Sequence, residues 1–123
     1  MAYFKLNYFA LIILLIISSC KLLEPSYPPK YRVQNYCDYV VDFKIIPAGT
    51  DTIRFDNVQN NTSGNFVDIK EGNVNVIVFV QGNSEIHTKN FVASKDRKYT
   101  VAMHDGAVFG QHYIHLDIID EPD

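Results

Sequence analysis

Four histidines, His87, His104, His112 and His115, and two cysteines, Cys20 and Cys37, are the side chains of this 123-residue sequence with the widest chemical reach. Neutral imidazole is the commonest ligand for zinc and copper, so histidines converging on one face would suggest a metal. The obvious pair lacks that geometry. His112 and His115 are three apart in a run that alternates as a β-strand, so they point to opposite faces. His115 and Asp117 do share a face, but they become a ligand or acid–base set only if His104 or His87 converges from a neighbouring strand. Hydrolysis needs a nucleophile oriented by a base, or two converging carboxylates, and neither Gly-x-Ser-x-Gly nor His-Glu-x-x-His occurs. The acids instead alternate with apolar residues, the pattern of a solvated face. The expectation is a non-enzymatic chain with no metal and no cofactor; the alternative is a small periplasmic metal-binding protein or hydrolase using His104, His115 and Asp117. Cys37 sits in Asn35-Tyr36-Cys37-Asp38-Tyr39, beside an acid and with no adjacent cation to lower its pKa. It reads as a buried thiol, not a nucleophile.

Cys20 has another setting. Lys5 precedes an unbroken apolar run of nine residues, Phe9 to Ile17, and Ser18 and Ser19 supply small residues before the cysteine. At ~1.5 Å per residue, nine helical residues fall well short of a ~30 Å hydrocarbon core, so the run has the form of a secretory signal and not of a membrane span. The sequence Ile17-Ser18-Ser19-Cys20 resembles the lipobox of bacterial lipoproteins. That resemblance implies cleavage between Ser19 and Cys20, a thioether-linked diacylglycerol on Cys20, and an N-acyl chain of the palmitate kind. One chain binds membranes reversibly and two or three bind durably, at roughly 0.8 kcal/mol per buried methylene. The implied location is the bacterial cell envelope, anchored in membrane lipid through acylated Cys20. Lys21 follows the cysteine where enteric inner-membrane lipoproteins carry aspartate, and the acidic cluster that marks surface export in some Bacteroidota lipoproteins is absent, so these residues leave membrane and leaflet open; the location expected is the outer membrane, on its periplasmic or surface face. The other reading is an ordinary secretory signal, with Cys20 incidental or paired with Cys37. Lipidation would leave Cys37 unpaired.

The elements that must position these groups follow from patterning. Residues 1–19 are the expected signal peptide, residues 20–30 the lipidated cysteine and an extended spacer, and residues 31–123 one β domain. The spacer carries Pro25, Pro28 and Pro29, which fix φ and remove donors. After Cys20 there are ten basic and fourteen acidic side chains, a net charge of −4. With no cluster of Lys and Arg, nucleic acid is excluded as a partner. The acids of the closing stretch, Asp117, Asp120, Glu121 and Asp123, read as a solvated chain end.

From Tyr31 onward, short β-branched and aromatic runs are separated by Gly, Asn, Asp and Ser at intervals close to about 8 to 12 residues, with no sustained helical period. Strands are expected over Tyr31 to Tyr36, Tyr39 to Ile46, Thr52 to Val58, Asn65 to Lys70, Val74 to Gln81, Glu85 to Val92, Lys98 to Met103 and Gln111 to Ile119. Val67 and Ile69 should face inward. Val74 to Gln81, apolar on both faces, should be central and covered on both sides. Gln59 to Gly64 should be a polar loop and Asp105-Gly106 a turn. Seven or eight strands without helices lack the crossovers of a parallel sheet, so the expected fold is an all-β antiparallel two-sheet β-sandwich. The eight Tyr and eight Phe, mostly at strand positions, read as core and not as a stacking platform for sugars.

Val33-Gln34-Asn35, Val40-Val41-Asp42-Phe43-Lys44, Phe55-Asp56-Asn57-Val58, Ser63, Phe66-Val67-Asp68-Ile69, Gly72, Val76-Ile77-Val78 and Tyr99-Thr100-Val101 follow one another in an order that resembles an uncharacterised bacterial cell-envelope domain family with Ig-like or transthyretin-like sandwiches. The likeness covers about residues 32 to 103. It implies fold and envelope location and carries no active site. The sequence departs from the pattern at Tyr36-Cys37-Asp38, where the family more often has a small proline-containing turn. Asp51-Thr52-Ile53 resembles the Asp-Thr-aliphatic sequon of Bacteroidota, which implies an O-glycan on Thr52; the overlapping acceptors at Asn60-Asn61-Thr62-Ser63 matter only in a eukaryotic secretory setting. The combined expectation is a lipid-anchored, non-enzymatic binding or structural module for a protein or glycan partner.

Overall fold

A chain buried on one face needs an apolar residue at every second position, and Val41-x-Phe43-x-Ile45, Val74-x-Val76-x-Val78-x-Val80 and Tyr99-x-Val101-x-Met103 meet that need. In the computed structural model, which describes residues 25–123 apart from the side chain of Val108, all ten are buried. The expected cleavage at Ser19/Cys20 and lipidation of Cys20 lie outside the described residues.

The strands are β1 (Lys30–Tyr36), β2 (Val41–Pro47), β3 (Ile53–Val58), β4 (Thr62–Ser63), β5 (Val67–Asp68), β6 (Gly72–Val80), β7 (Glu85–Ala93), β8 (Arg97–Val108) and β9 (Gln111–Pro122). They form an all-β two-sheet sandwich. One sheet has the order β4-β1-β8-β9, with β5 also on the free edge of β1; the other has the order β3-β2-β6-β7. The core lies between them, with Tyr31, Val33, Cys37, Met103 and Leu116 of the first sheet and its margins against Phe43, Ile45 and the four β6 valines of the second.

Five details depart from expectation. The ladders are antiparallel except one, β1 with β8, whose register runs from Lys30↔Lys98 to Tyr36↔His104. The crossover that a parallel pair needs is supplied by the chain between them: β2 and β3 join the other sheet, β4 and β5 return to pair along β1, and β6 and β7 join the other sheet again. Asp105-Gly106 is no turn: β8 continues through it, and the chain reverses at Phe109-Gly110. Gly106 has a packing role instead, because a Cβ there would lie 2.5 Å from Nε2 and 2.9 Å from Cδ2 of His115. β6 is central, yet Phe79 on its outer face is 40% exposed, since no third layer covers that sheet among the described residues. Asn65 to Lys70 yields only the two-residue β5, with Ile69 buried and Val67 exposed. The polar stretch before it contributes β4, paired at Gln34↔Ser63.

The spacer also ends earlier than its composition implies. Tyr27 N–H donates to Asp96 Oδ1 at 2.7 Å and Asp96 N–H donates to the Tyr27 carbonyl at 2.9 Å. Ile69 N–H donates to the Pro29 carbonyl at 2.9 Å, and Lys30 Nζ lies 3.3 Å from Asp123 Oδ2. Proline leaves its carbonyl free to accept, so this segment docks on the domain without joining a sheet.

Two residues of the family-like pattern have clear structural roles. Asp42 Oδ1 accepts from Asn57 N–H at 2.7 Å and from Gln81 Nε2 at 3.0 Å. It thereby holds a bulge between β2 and β3, where Asn57 takes φ of 56°, a left-handed conformation that Asn tolerates.

Candidate functional site

Strand register decides whether the histidines meet. β8 and β9 pair His104 directly opposite His115 and Ala102 opposite Asp117, so His104, His115 and Asp117 share the outer face of the five-stranded sheet. β1 adds Tyr36 opposite His104 on the same face. The His104 and His115 rings are 5.2 Å apart, and Tyr113 meets His115 edge-on with ring centroids 3.9 Å apart. Gly106, having no side chain, leaves the space these rings occupy. His104 Nε2–H donates to Asp117 Oδ2, and Lys89 Nζ from β7 lies 3.4 Å from Asp117 Oδ1. The bond from His104 is the main reason the Asp117 carboxyl sits below the usual carboxylate range; partial burial opposes it and Lys89 assists. A depressed carboxylate contributes stability above its unfolded pKa and loses it as pH falls through the folded value. Both partners are partly solvated, so this contribution is small.

The register thus brings His104 onto the face that His115 and Asp117 share. The result is a histidine–carboxylate dyad beside a second imidazole. Among the described residues no three His, Cys, Asp or Glu side chains are grouped so as to hold a metal ion. His87 does not join the row but lies 3.1 Å from Glu85 Oε2 on its own strand. His112 points to the opposite side from His115 and lines the hollow described below.

The thiol of Cys37 is not offered to the dyad. It is fully buried, and Sγ lies 2.9 Å from Asn35 Oδ1 and 3.5 Å from the Tyr39 carbonyl. Burial is the largest influence and pushes its pKa above the ordinary thiol value; the Tyr39 carbonyl contact opposes, while Asp105 and Asp38 add to the rise. We expect a thiol-reactive disulfide reagent at pH 8 to leave native protein unlabelled and to modify Cys37 fully in urea. Labelling of Cys37 in the native state at the denatured rate would contradict its burial. Because the folded pKa is raised, the linked stability is present below the unfolded thiol pKa and is lost as pH rises through the folded value.

The far end of the sandwich carries a second chemical grouping. A hollow of about 420 Å³ opens there, lined by Asp38, Tyr39, Glu85, Asp105, His112 and Tyr113 among others. Carboxylates and phenols dominate it and no Lys or Arg contributes. Asp105 Oδ2 also accepts from Asp38 N–H at 3.0 Å, which ties the β8–β9 hairpin to the crossing between β1 and β2. On the outer face of the four-stranded sheet, a depression of about 270 Å³ joins Ile77, Phe79 and Ile86 to the charges of Asp42, Lys44, Arg54 and Asp56.

The aromatic residues thus divide: Tyr31, Phe43 and Tyr99 are core, whereas Tyr27, Tyr36, Tyr39, Phe79, Phe109 and Tyr113 are exposed. Phe109 is 102% exposed, at a reversal whose own residues give a weaker turn signal than the Asp-Gly pair four residues earlier. Thr52 is exposed just before β3.

No protein-family model matches the chain, and no curated protein matches it.

Proposed function

We propose that this protein is a lipid-anchored cell-envelope module, held at the outer membrane through acylated Cys20, whose β-sandwich binds a protein or glycan partner without catalysis. The observation that carries the reading is the run from Lys5 through Phe9–Ile17 to Ile17-Ser18-Ser19-Cys20, followed by a proline-rich spacer. The fold is compatible with tethering from one end. Chain enters the domain at Tyr27, against Asp96 and just before β8, so seven Cα-to-Cα steps link Cys20 to that docked residue and reach at most about 25 Å. β8 then runs twelve residues away from that point, roughly 36 Å. Under this reading the acidic hollow and the Phe109 hairpin face away from the bilayer, and Thr52, being exposed, is open to O-glycosylation. The likeness over residues 32 to 103 to envelope sandwich domains supports the same location.

The test is metabolic labelling with an alkynyl fatty acid, combined with membrane fractionation, for wild type and Cys20→Ala. Wild type should carry label and sediment with membranes. Cys20→Ala should lose the label and leave the membrane fraction, or persist with an uncleaved signal. Unlabelled, soluble wild type would end the lipoprotein account.

One observation favours a second reading, metal binding or hydrolysis: the convergence of His104, His115 and Asp117 on one face. Elemental analysis of untagged protein purified from its own cells tests it, and stoichiometric zinc or copper lost in His104→Ala would favour it.

A further inference from the structure

We propose that Phe109 is the anchor by which the domain docks on a protein partner, inserting into an apolar socket rimmed by basic residues. The proposal rests on the binding-module reading but not on lipidation of Cys20. Among the described residues, five non-glycine residues have positive φ: Asn57, Asn61, Ser84, Asp96 and Phe109. Four are small polar residues of the kind that tolerates a left-handed backbone by bonding locally; Phe109, at φ 53°, is the exception. With Gly110 at φ 79° it forms the two-residue link of the β8–β9 hairpin, both centres having positive φ as in a type I′ turn. Such links favour Asn-Gly or Asp-Gly. An aromatic residue there is disfavoured by the backbone, and at 102% exposure it gains nothing from the core. Folding does not explain it.

Its setting indicates the partner. β1 accompanies β8 only as far as His104, so the hairpin beyond that point pairs only with itself and projects its tip. From Tyr99 to the end of the sequence there is no Lys or Arg, while Asp38, Glu85 and Asp105 line the hollow at the hairpin's base. An aromatic tip above acidic groups is repelled by anionic lipid headgroups and complements a protein surface with an apolar pocket and a Lys/Arg rim.

The experiment introduces a benzophenone-bearing phenylalanine at position 109 of the full chain in its own cells, with position 88 on the exposed face of β7 as control. We expect one dominant protein adduct at position 109, absent at 88, whose cross-linked peptide maps to an apolar surface flanked by Lys or Arg. Purified, that partner should bind Phe109→Asn at least tenfold more weakly than wild type, and Asp38→Lys several-fold more weakly. Phe109→Asn should meanwhile melt about 4 °C higher, because Asn accepts the left-handed backbone. A more stable protein that binds less separates docking from folding. Lipid adducts, adducts only with a second copy of the chain, no adduct above the control, or a lower melting temperature for Phe109→Asn would each overturn the proposal. Fatty-acid labelling read in the same cells reports on Cys20 separately, so an unlabelled chain that retains its adduct sinks the tether and not the docking site.

Discussion

Asn35→Ala is expected to lower folding stability by about 4 kcal/mol and the melting temperature by roughly 15 °C or more. Asn35 is fully buried at the end of β1. Its Nδ2 donates to the carbonyls of Tyr39 and Val58, each at 2.8 Å, and its Oδ1 accepts from Cys37 N–H at 3.0 Å besides contacting the Cys37 thiol at 2.9 Å. One amide therefore joins β1 of the first sheet to the end of β3 in the second and to the crossing that leads into β2. Alanine takes from the Tyr39 and Val58 carbonyls and from the Cys37 N–H the partner that the buried amide supplies, at about 1–3 kcal/mol each. Asn35→Asp should be worse at neutral pH, because a carboxylate would face two carbonyls, and should recover partly on acidification as the group takes up a proton. Urea denaturation of the three proteins provides the test; Asn35→Ala within 1 kcal/mol of wild type would refute the clamp.

Phe43→Ala is the second large effect, about 3–5 kcal/mol. Phe43 is 1% exposed on β2, between Phe55 of β3 and Val78 of β6 in the sheet register, and faces the core. Truncation removes transfer free energy and leaves a cavity that well-paired strands on both sides cannot collapse to fill. Since a domain of this size has only about 5–15 kcal/mol to lose, the variant should be marginal at 37 °C. Phe43→Leu, which retains most of the volume, should lose roughly 1–1.5 kcal/mol. Equal losses for the two variants in calorimetry would mean that cavity formation is not the cause.

These effects mark how far the chain could be read in one dimension. The apolar positions of β2, β6 and β8 were legible because period two is a local property: each residue's face follows from its neighbours'. In sequence Asn35 is one polar position of the Tyr31 to Tyr36 run and of the Val33-Gln34-Asn35 motif. Its role as a clamp depends on Tyr39 and Val58 arriving beside it, and nothing near Asn35 in sequence announces Val58. The histidine question divides the same way. Opposite faces for His112 and His115, and a shared face for His115 and Asp117, follow from alternation alone. The hydrogen bond from His104 to Asp117 depends on the β8–β9 register, which a turn at Asp105-Gly106 would shift. Moving the reversal to Phe109-Gly110 lengthens both strands, sets Ala102 opposite Asp117 and lifts a phenylalanine to the tip.

The sequence by itself determined the all-β character, the buried residues of the long strands, the excess of acid over base, and the n-region, apolar run and cysteine on which the tethering proposal stands. Each depends on composition or on spacing along the chain. Tertiary structure decided that β1 runs parallel to β8, that the spacer docks from Tyr27, that His104 meets Asp117, and that Phe109 stands free while Gly106 is packed against His115. These depend on which distant segments pair and in what register. That choice is made by burial and hydrogen bonding summed over both sheets, a cooperative quantity that no single window of sequence contains.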